Sequence, residues 1–168
     1  MPRLKKLMQL AANPVLISVH PSFAVGIAEG RKRVEFRRRW PRIETDVAVI
    51  YATSPVKSIV AVVQIDEVVR AGNAKLWELS KSYGGSVTRA TLRDYMSGLE
   101  QGVALLLGQR FCPNHRHSPK DMFGDSFVAP QSFRYLHAEE IDAVIECFGR
   151  VNDFPRWCTR SRQVVNVL

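Results

Sequence analysis

Gly30, Lys32, Glu35 and Arg37 stand at the spacing G-x-K-x-x-E-x-R. Gly30 lets the backbone turn tightly and come close to a ligand, and Lys32 enters just after that turn. From Arg33 the residue types alternate with a period of two, so Glu35 and Arg37 project from one strand face. An ammonium, a carboxylate and a guanidinium then converge. Arg37 can fork onto a phosphate or carboxylate, while Glu35 can accept from a base amino group or orient Lys32. The plainer alternative is a Lys–Glu–Arg charge network that only decorates the fold.

The motif sits in the most basic part of the chain. Lys and Arg number 24 against 16 Asp and Glu, a net charge of +8, and the segment from Arg31 to Arg42 holds seven of the basic residues with a single acid. A focused patch of this kind selects a polyanionic or phosphate-bearing partner. A solvated basic strand face is the alternative. Arg31, Arg33, Arg38, Arg39 and Arg42 are the candidate phosphate contacts. Single-stranded RNA is bound by stacking platforms beside basic grooves. Trp40, Tyr51, Phe133 and Tyr135 are candidates for stacking, with core packing as their other role. Thr53 and Ser54 either line the pocket with hydroxyls or cap a turn.

Several functions are excluded. The chain has no Walker loop, Rossmann fingerprint or G-x-S-x-G, which removes the NTPase, dehydrogenase and serine hydrolase readings. Its best apolar stretch, Ile59 to Ile65, is strand-sized and broken by Gln64, so no membrane partner is expected. Arg3, Lys5 and Lys6 before Leu7 to Leu10 make only a faint signal-peptide pattern, interrupted by Gln9, Asn13 and Pro14. Three cysteines (Cys112, Cys147, Cys158) form no disulfide framework and fit a reducing, cytoplasmic setting. Cys112, His115 and His117 make C-x-x-H-x-H, which is not a standard paired-ligand spacing. Neither a metal nor a cofactor is expected.

The elements that must position the motif alternate between strand and helix. Val15 to Val19 reads as a buried strand, stopped by His20-Pro21, with Pro21 opening a helix that ends at Gly30. The next strand runs from Arg33 with Val34, Phe36 and Trp40 on one face. Val47 to Ala52 and Ser58 to Val69 are further strands joined through Thr53-Ser54-Pro55. A helix through Leu76, Leu79 and Tyr83 stops at Gly84-Gly85. Thr88 caps another, whose apolar stripe is Leu92, Tyr95, Met96 and Leu99. Gly102 to Phe111 is a strand, Cys112 to Pro130 a long surface loop, and Ser132 to Leu136 a last core strand. A helix opened by Glu139 and Glu140 carries Ile141, Val144, Ile145 and Phe148 on one face up to Gly149. Five or six strands with inserted helices predict a small α+β barrel. We divide the chain into an N-terminal segment (1–14), a barrel domain (15–136) and a C-terminal helix with a basic tail (137–168).

This ordered set of features resembles the ASCH family, a branch of the PUA-like β-barrels. The features are His20-Pro21 and a short helix, the G-x-K-x-x-E-x-R motif, Tyr51-Ala52-Thr53-Ser54-Pro55, Leu76-Trp77-Glu78, and Pro130-Gln131-Ser132-Phe133. The resemblance spans Val15 to Leu136. It implies an RNA- or nucleotide-binding cleft lined by the motif residues Gly30, Lys32, Glu35 and Arg37, to which the Thr53-Ser54 loop would add its hydroxyls. One group of the family is an amidohydrolase that deacetylates N4-acetylcytidine, and another member is a ribonuclease. Lys32 matches the amidohydrolase lysine, and Glu67 or Asp66 stands near its separate assisting glutamate. That group carries a nucleophilic Thr where this chain has Glu35, and a carboxylate is a poor substitute in acyl transfer. Glu35 would then have to act as a base on water. In a ribonuclease it would be the base, with Lys32 and Arg37 against the phosphate. The expected role is thus binding of RNA or a modified nucleoside, with the two hydrolases as alternatives; no protein partner is assigned.

Overall fold

The computed structural model describes residues 2–148. Gly149, Cys158 and the basic tail lie outside the described residues. One six-stranded sheet, in the order β2-β5-β4-β3-β1-β6, curls into a half-barrel. Its strands are β1 (Val15–Val19), β2 (Val34–Arg37), β3 (Val47–Ala52), β4 (Ser58–Ala71), β5 (Gly102–Phe111) and β6 (Phe133–Tyr135). The β1–β3 pair is parallel and the other four pairs are antiparallel. Among the described residues six helices surround the sheet: α1 (Pro2–Leu10), α2 (Pro21–Ala28), α3 (Asn73–Tyr83), α4 (Arg89–Tyr95), α5 (Pro119–Phe123) and α6 (Ala138–Phe148).

Strands β1 and β3 and the first half of β4 are almost wholly apolar, Ser18 and Ser58 apart, because both of their faces are covered. On the inner face Ile17, Val19, Ile50, Val60 and Leu105 pack around Phe23, Ala24 and Ile27 of α2. The opposite face is covered in two places. Leu16, Val47 and Val49 meet Leu4 and Met8 of α1 and Val144 and Phe148 of α6. Val34, Phe36, Ala104 and Leu106 meet Leu76 and Leu79 of α3 and Leu92 of α4.

Four segments differ from their sequence reading. Strand β2 stops at Arg37, so the parity of alternation is lost beyond it. Trp40 therefore joins the inner cluster, while Val34 and Phe36 belong to the outer one beside α3. Helix α4 ends at Tyr95, which is left exposed, so of the stripe Leu92, Met96 and the half-buried Leu99 pack inward and Tyr95 does not. The long loop contains α5. Ser118 caps it by accepting from Lys120 N–H and Pro119 takes its first position, a start signal hidden among polar residues. The last strand is a half-buried edge, not a core strand.

Strand β6 is tied to α6 by a bidentate pair, Arg134 Nη1 and Nη2 to Glu140 at 2.8 and 2.6 Å. Glu140 also accepts from His137 N–H at 3.0 Å, one half of a capping box. Burial would raise the Glu140 pKa, but Arg134 and the His137 N–H outweigh it and hold the carboxyl below its usual value of 4.5. A depressed carboxylate stabilises the fold fully above its unfolded pKa, and that contribution fades as pH falls through the folded one. Glu140→Gln is therefore expected to melt with a smaller drop in Tm between pH 7 and pH 3 than the parent. Equal drops would show that this pair carries none of the acid sensitivity.

Candidate functional site

Segment 30–33 is held on three sides before it enters β2. Helix α2 ends at Ala28, and Gly30 takes φ +77°, the left-handed value expected after a helix. Lys32 N–H then donates to Gly26 O, Arg33 N–H to Tyr83 O, and Leu107 N–H to Arg33 O. This stapling turns the Lys32 side chain inward, where only 2% of the residue is exposed.

The ammonium of Lys32 has three acceptors for its three protons. Nζ lies 2.7 Å from Val34 O, 2.8 Å from Gly85 O and 3.3 Å from Glu35 Oε2. The rings of Phe23 and Phe36 flank it at 5.0 and 5.4 Å, a cation–π arrangement. The other carboxylate oxygen, Glu35 Oε1, faces Arg37 Nη2 at 3.2 Å. Burial lowers the Lys32 pKa; Glu35 works against that shift and Arg37 adds to it. Lys32, Glu35 and Arg37 thus converge as the motif's spacing predicts, as a buried chain of alternating charge with a net +1.

Arg37 reaches across the half-barrel. Its Nη2 donates to Ser18 O of β1 at 2.9 Å and its Nη1 approaches Ser132 O, just before β6, at 3.4 Å. Strand β2 is one edge of the sheet and β1–β6 form the other, so this guanidinium spans the gap between edges. Trp40 covers the same seam by packing on Phe133, with ring centroids 5.1 Å apart. Arg37 Nε and Trp40 Nε1 are buried N–H groups without a partner among the described residues. The Ser18, Ser132 and Gly85 carbonyls were invisible in the sequence, because a main-chain acceptor has no residue signature.

The remaining candidates divide. Arg31, Arg33, Arg38, Arg39 and Arg42 are all exposed. Arg31 pairs with Glu29. Arg33 stacks on Tyr83 with its guanidinium 5.6 Å from the ring, beside the C-terminus of α3. Arg38 donates to Tyr95 O and Ser97 O at the end of α4. Cations there complement the helix dipole. Arg39 and Arg42 have no hydrogen bond or ion pair among the described residues. Thr53 sits at the turn after β3, its N–H donating to Val19 O, and Ser54 is exposed. Among the described residues, no hydrogen bond joins either hydroxyl to the buried charges. Glu67 registers with Leu106, itself opposite Val34, whereas Glu35 registers with Leu105 and Val68. Glu67 and Glu35 therefore start from opposite faces of the sheet. Glu67 instead lines a groove of about 360 Å³ with Trp40, Arg42, Asp66 and Arg70.

Tyr51 packs edge-on against Phe127 in the core, and Tyr135 is partly exposed. Among the described residues no group of three or more His, Cys, Asp or Glu side chains is placed to hold a metal ion. Cys112 is buried and donates to Ala28 O at 3.4 Å, and the His117 ring lies 6.1 Å from that of Phe148. Cys147 is half-buried, its thiol pKa pushed up by burial and by Glu146.

The family model of the ASCH domain matches residues 17–100. An ASCH domain-containing ribonuclease from Zymomonas mobilis subsp. mobilis is 33% identical over 141 residues, covering 81% of this chain and 93% of that protein. The crystal structure of ASCH from Zymomonas mobilis superposes with a TM-score of 0.72 at 30% identity, over 80% of this chain and 94% of that one. Two variant structures from the same organism, one with a tyrosine-to-phenylalanine and one with a serine-to-alanine substitution, give TM-scores of 0.69 and 0.70. Each is 30% identical over 80% of this chain, covering 97% and 96% of theirs.

Removing the one negative charge from the buried network leaves two uncompensated cations. Glu35→Gln is expected to cost about 3–5 kcal/mol of stability at pH 7, the usual size for breaking a buried pair on one side. Without Glu35 the folded state sheds the Lys32 proton more readily, while the unfolded chain keeps it up to 10.5. The deficit should therefore shrink as pH rises toward that value. Urea denaturation at several pH values measures both effects; a loss under 1 kcal/mol would show that the charges are not coupled.

Proposed function

Because the chain belongs to the ASCH domain family, we propose that it binds RNA and takes the phosphate backbone on its exposed arginines. One observation carries this reading: folding separates the basic segment into two sets. Lys32, Glu35 and Arg37 go inside, and five arginines stay at the surface. Two of these, Arg39 and Arg42, hold no protein partner among the described residues and are open to phosphates. Phosphate contacts supply affinity and its salt dependence. The resemblance to a protein named as a ribonuclease supports RNA as the polymer.

The same name favours a second reading, cleavage of the bound RNA. Such cleavage does not draw directly on Glu35 as it is held, since each of its carboxylate oxygens already faces a cation. Deacetylation of an N4-acetylcytidine-type nucleoside has less support. Residue 35 offers no hydroxyl nucleophile, and all three protons of the Lys32 ammonium have acceptors.

Fluorescence anisotropy with a labelled ten-nucleotide oligouridylate, repeated across salt concentrations, tests the binding. The double variant Arg39→Gln, Arg42→Gln removes two counterion-releasing contacts. It should reduce the slope of log K against log salt by ~1.4 for a single strand. An unchanged slope would remove these two residues from the interface, and no binding by the parent would end the RNA reading. A denaturing gel of the same samples detects cleavage, and the masses of an acetylated-nucleoside panel report deacetylation.

A further inference from the structure

Gly30 has a second neighbour that its place in the motif does not account for. Near the end of β5 the pairing with β4 slips. Val63 faces Arg110 and Ile65 faces Leu107, so Gly108 and Gln109 together oppose only Gln64. An extra residue of this kind bends a strand and re-aims the side chains beside it. Arg110 donates from Nε to Ala28 O, at the C-terminus of α2, at 3.1 Å. Its guanidinium lies flat over Gly30. A Cβ placed on that glycine would fall 2.5 Å from Cζ and Nη1 and 2.8 Å from Nη2. The positive φ favours glycine here, and the missing Cβ leaves a bare floor on which this guanidinium rests.

Arg110 is nonetheless an exposed residue, and its two terminal nitrogens have no partner among the described residues. The acid next to Gly30 in sequence, Glu29, is occupied by Arg31. One nitrogen anchored, the plane seated on backbone and the outer fork unfilled is a preorganised arrangement for a bidentate oxyanion. Less side-chain freedom is lost on binding there than at an untethered arginine. Strand β5 thereby adds a fixed cation to the basic segment that begins at Arg31.

We propose that Arg110, seated on Gly30 and anchored to Ala28 O, forms a phosphate-binding site that anchors the RNA strand. The site rests on the RNA-binding reading above and extends it to a residue outside the basic segment. The competing role is confined to capping α2, which affects stability and leaves binding alone.

The test compares the parent protein with Arg110→Gln and Arg110→Lys, using the same labelled oligouridylate. Arg110→Gln should weaken binding roughly tenfold, as for one charge-assisted contact, and lower the salt slope by ~0.7. Arg110→Lys should keep the slope and still bind more weakly than the parent, because an ammonium cannot fork. Gly30→Ala, where it folds, should behave like Arg110→Lys, with every charge retained and the guanidinium displaced. If the parent binds and Arg110→Gln matches it in affinity and slope, Arg110 only caps α2, and the proposal falls while the RNA reading stands. If the parent does not bind RNA, that reading falls, and titration with inorganic phosphate decides the site alone. A saturable shift of the Arg110 Nε–Hε resonance would retain an anion site, and no shift would overturn it.

Discussion

A guanidinium carried on one edge of the sheet, at Arg37, ends on main-chain carbonyls that belong to the other edge, at Ser18 and Ser132. An open sheet has unpaired groups along both margins, and here β2 does not pair with β6. The arginine spans the gap that strand pairing leaves. Its position then sets what must surround it. A buried cation needs a counter-charge, which Glu35 supplies, and Glu35 in turn faces the Lys32 ammonium. Lys32 needs acceptors for its other protons and finds them in the carbonyls of Val34 and Gly85. Trp40 on Phe133 keeps water from the seam, and electrostatic contacts strengthen when water is excluded.

The basic segment therefore does three jobs with one run of residues. Lys32 and Arg37 hold the half-barrel together from inside. Arg33 and Arg38 sit at the C-terminal ends of α3 and α4, where exposed carbonyls and the helix dipole favour a positive charge. Arg39 and Arg42 are left for something outside the chain. A charge count over the segment cannot separate these uses, since the same residue types serve each of them.

Most elements were legible because their signals are local. Pro21 opening α2, Gly30 and Gly84 in left-handed conformations, the Thr88 cap and the apolar runs of β1, β3 and β5 all depend on near neighbours in sequence. The convergence of Lys32, Glu35 and Arg37 was legible for the same reason, being one turn and one strand. What alternation could not show is whether a strand face is covered. The polar face of β2 could be read either as a cleft lining or as a solvated face, and the curl of the sheet encloses it. Trp40 was assigned to the wrong face because strand parity holds only while the strand lasts. Glu67 is a different case: bulges on both sides of Ile65 set its facing, and bulges leave no clear mark in the residue pattern.

The strands that meet at the seam come from widely separated parts of the chain: 15–19, 34–37 and 133–135. Contacts of such long range raise the entropic cost of assembly and slow it. They also fix an order during synthesis, which proceeds from the N-terminus. Lys32, Glu35 and Arg37 leave the ribosome early, but the acceptor at Ser132 and the ring of Phe133 follow roughly a hundred residues later. Until then the growing chain holds Arg37 with only part of its surroundings. The seam thus closes only after Ser132 and Phe133 have been made, long after the charges that it encloses.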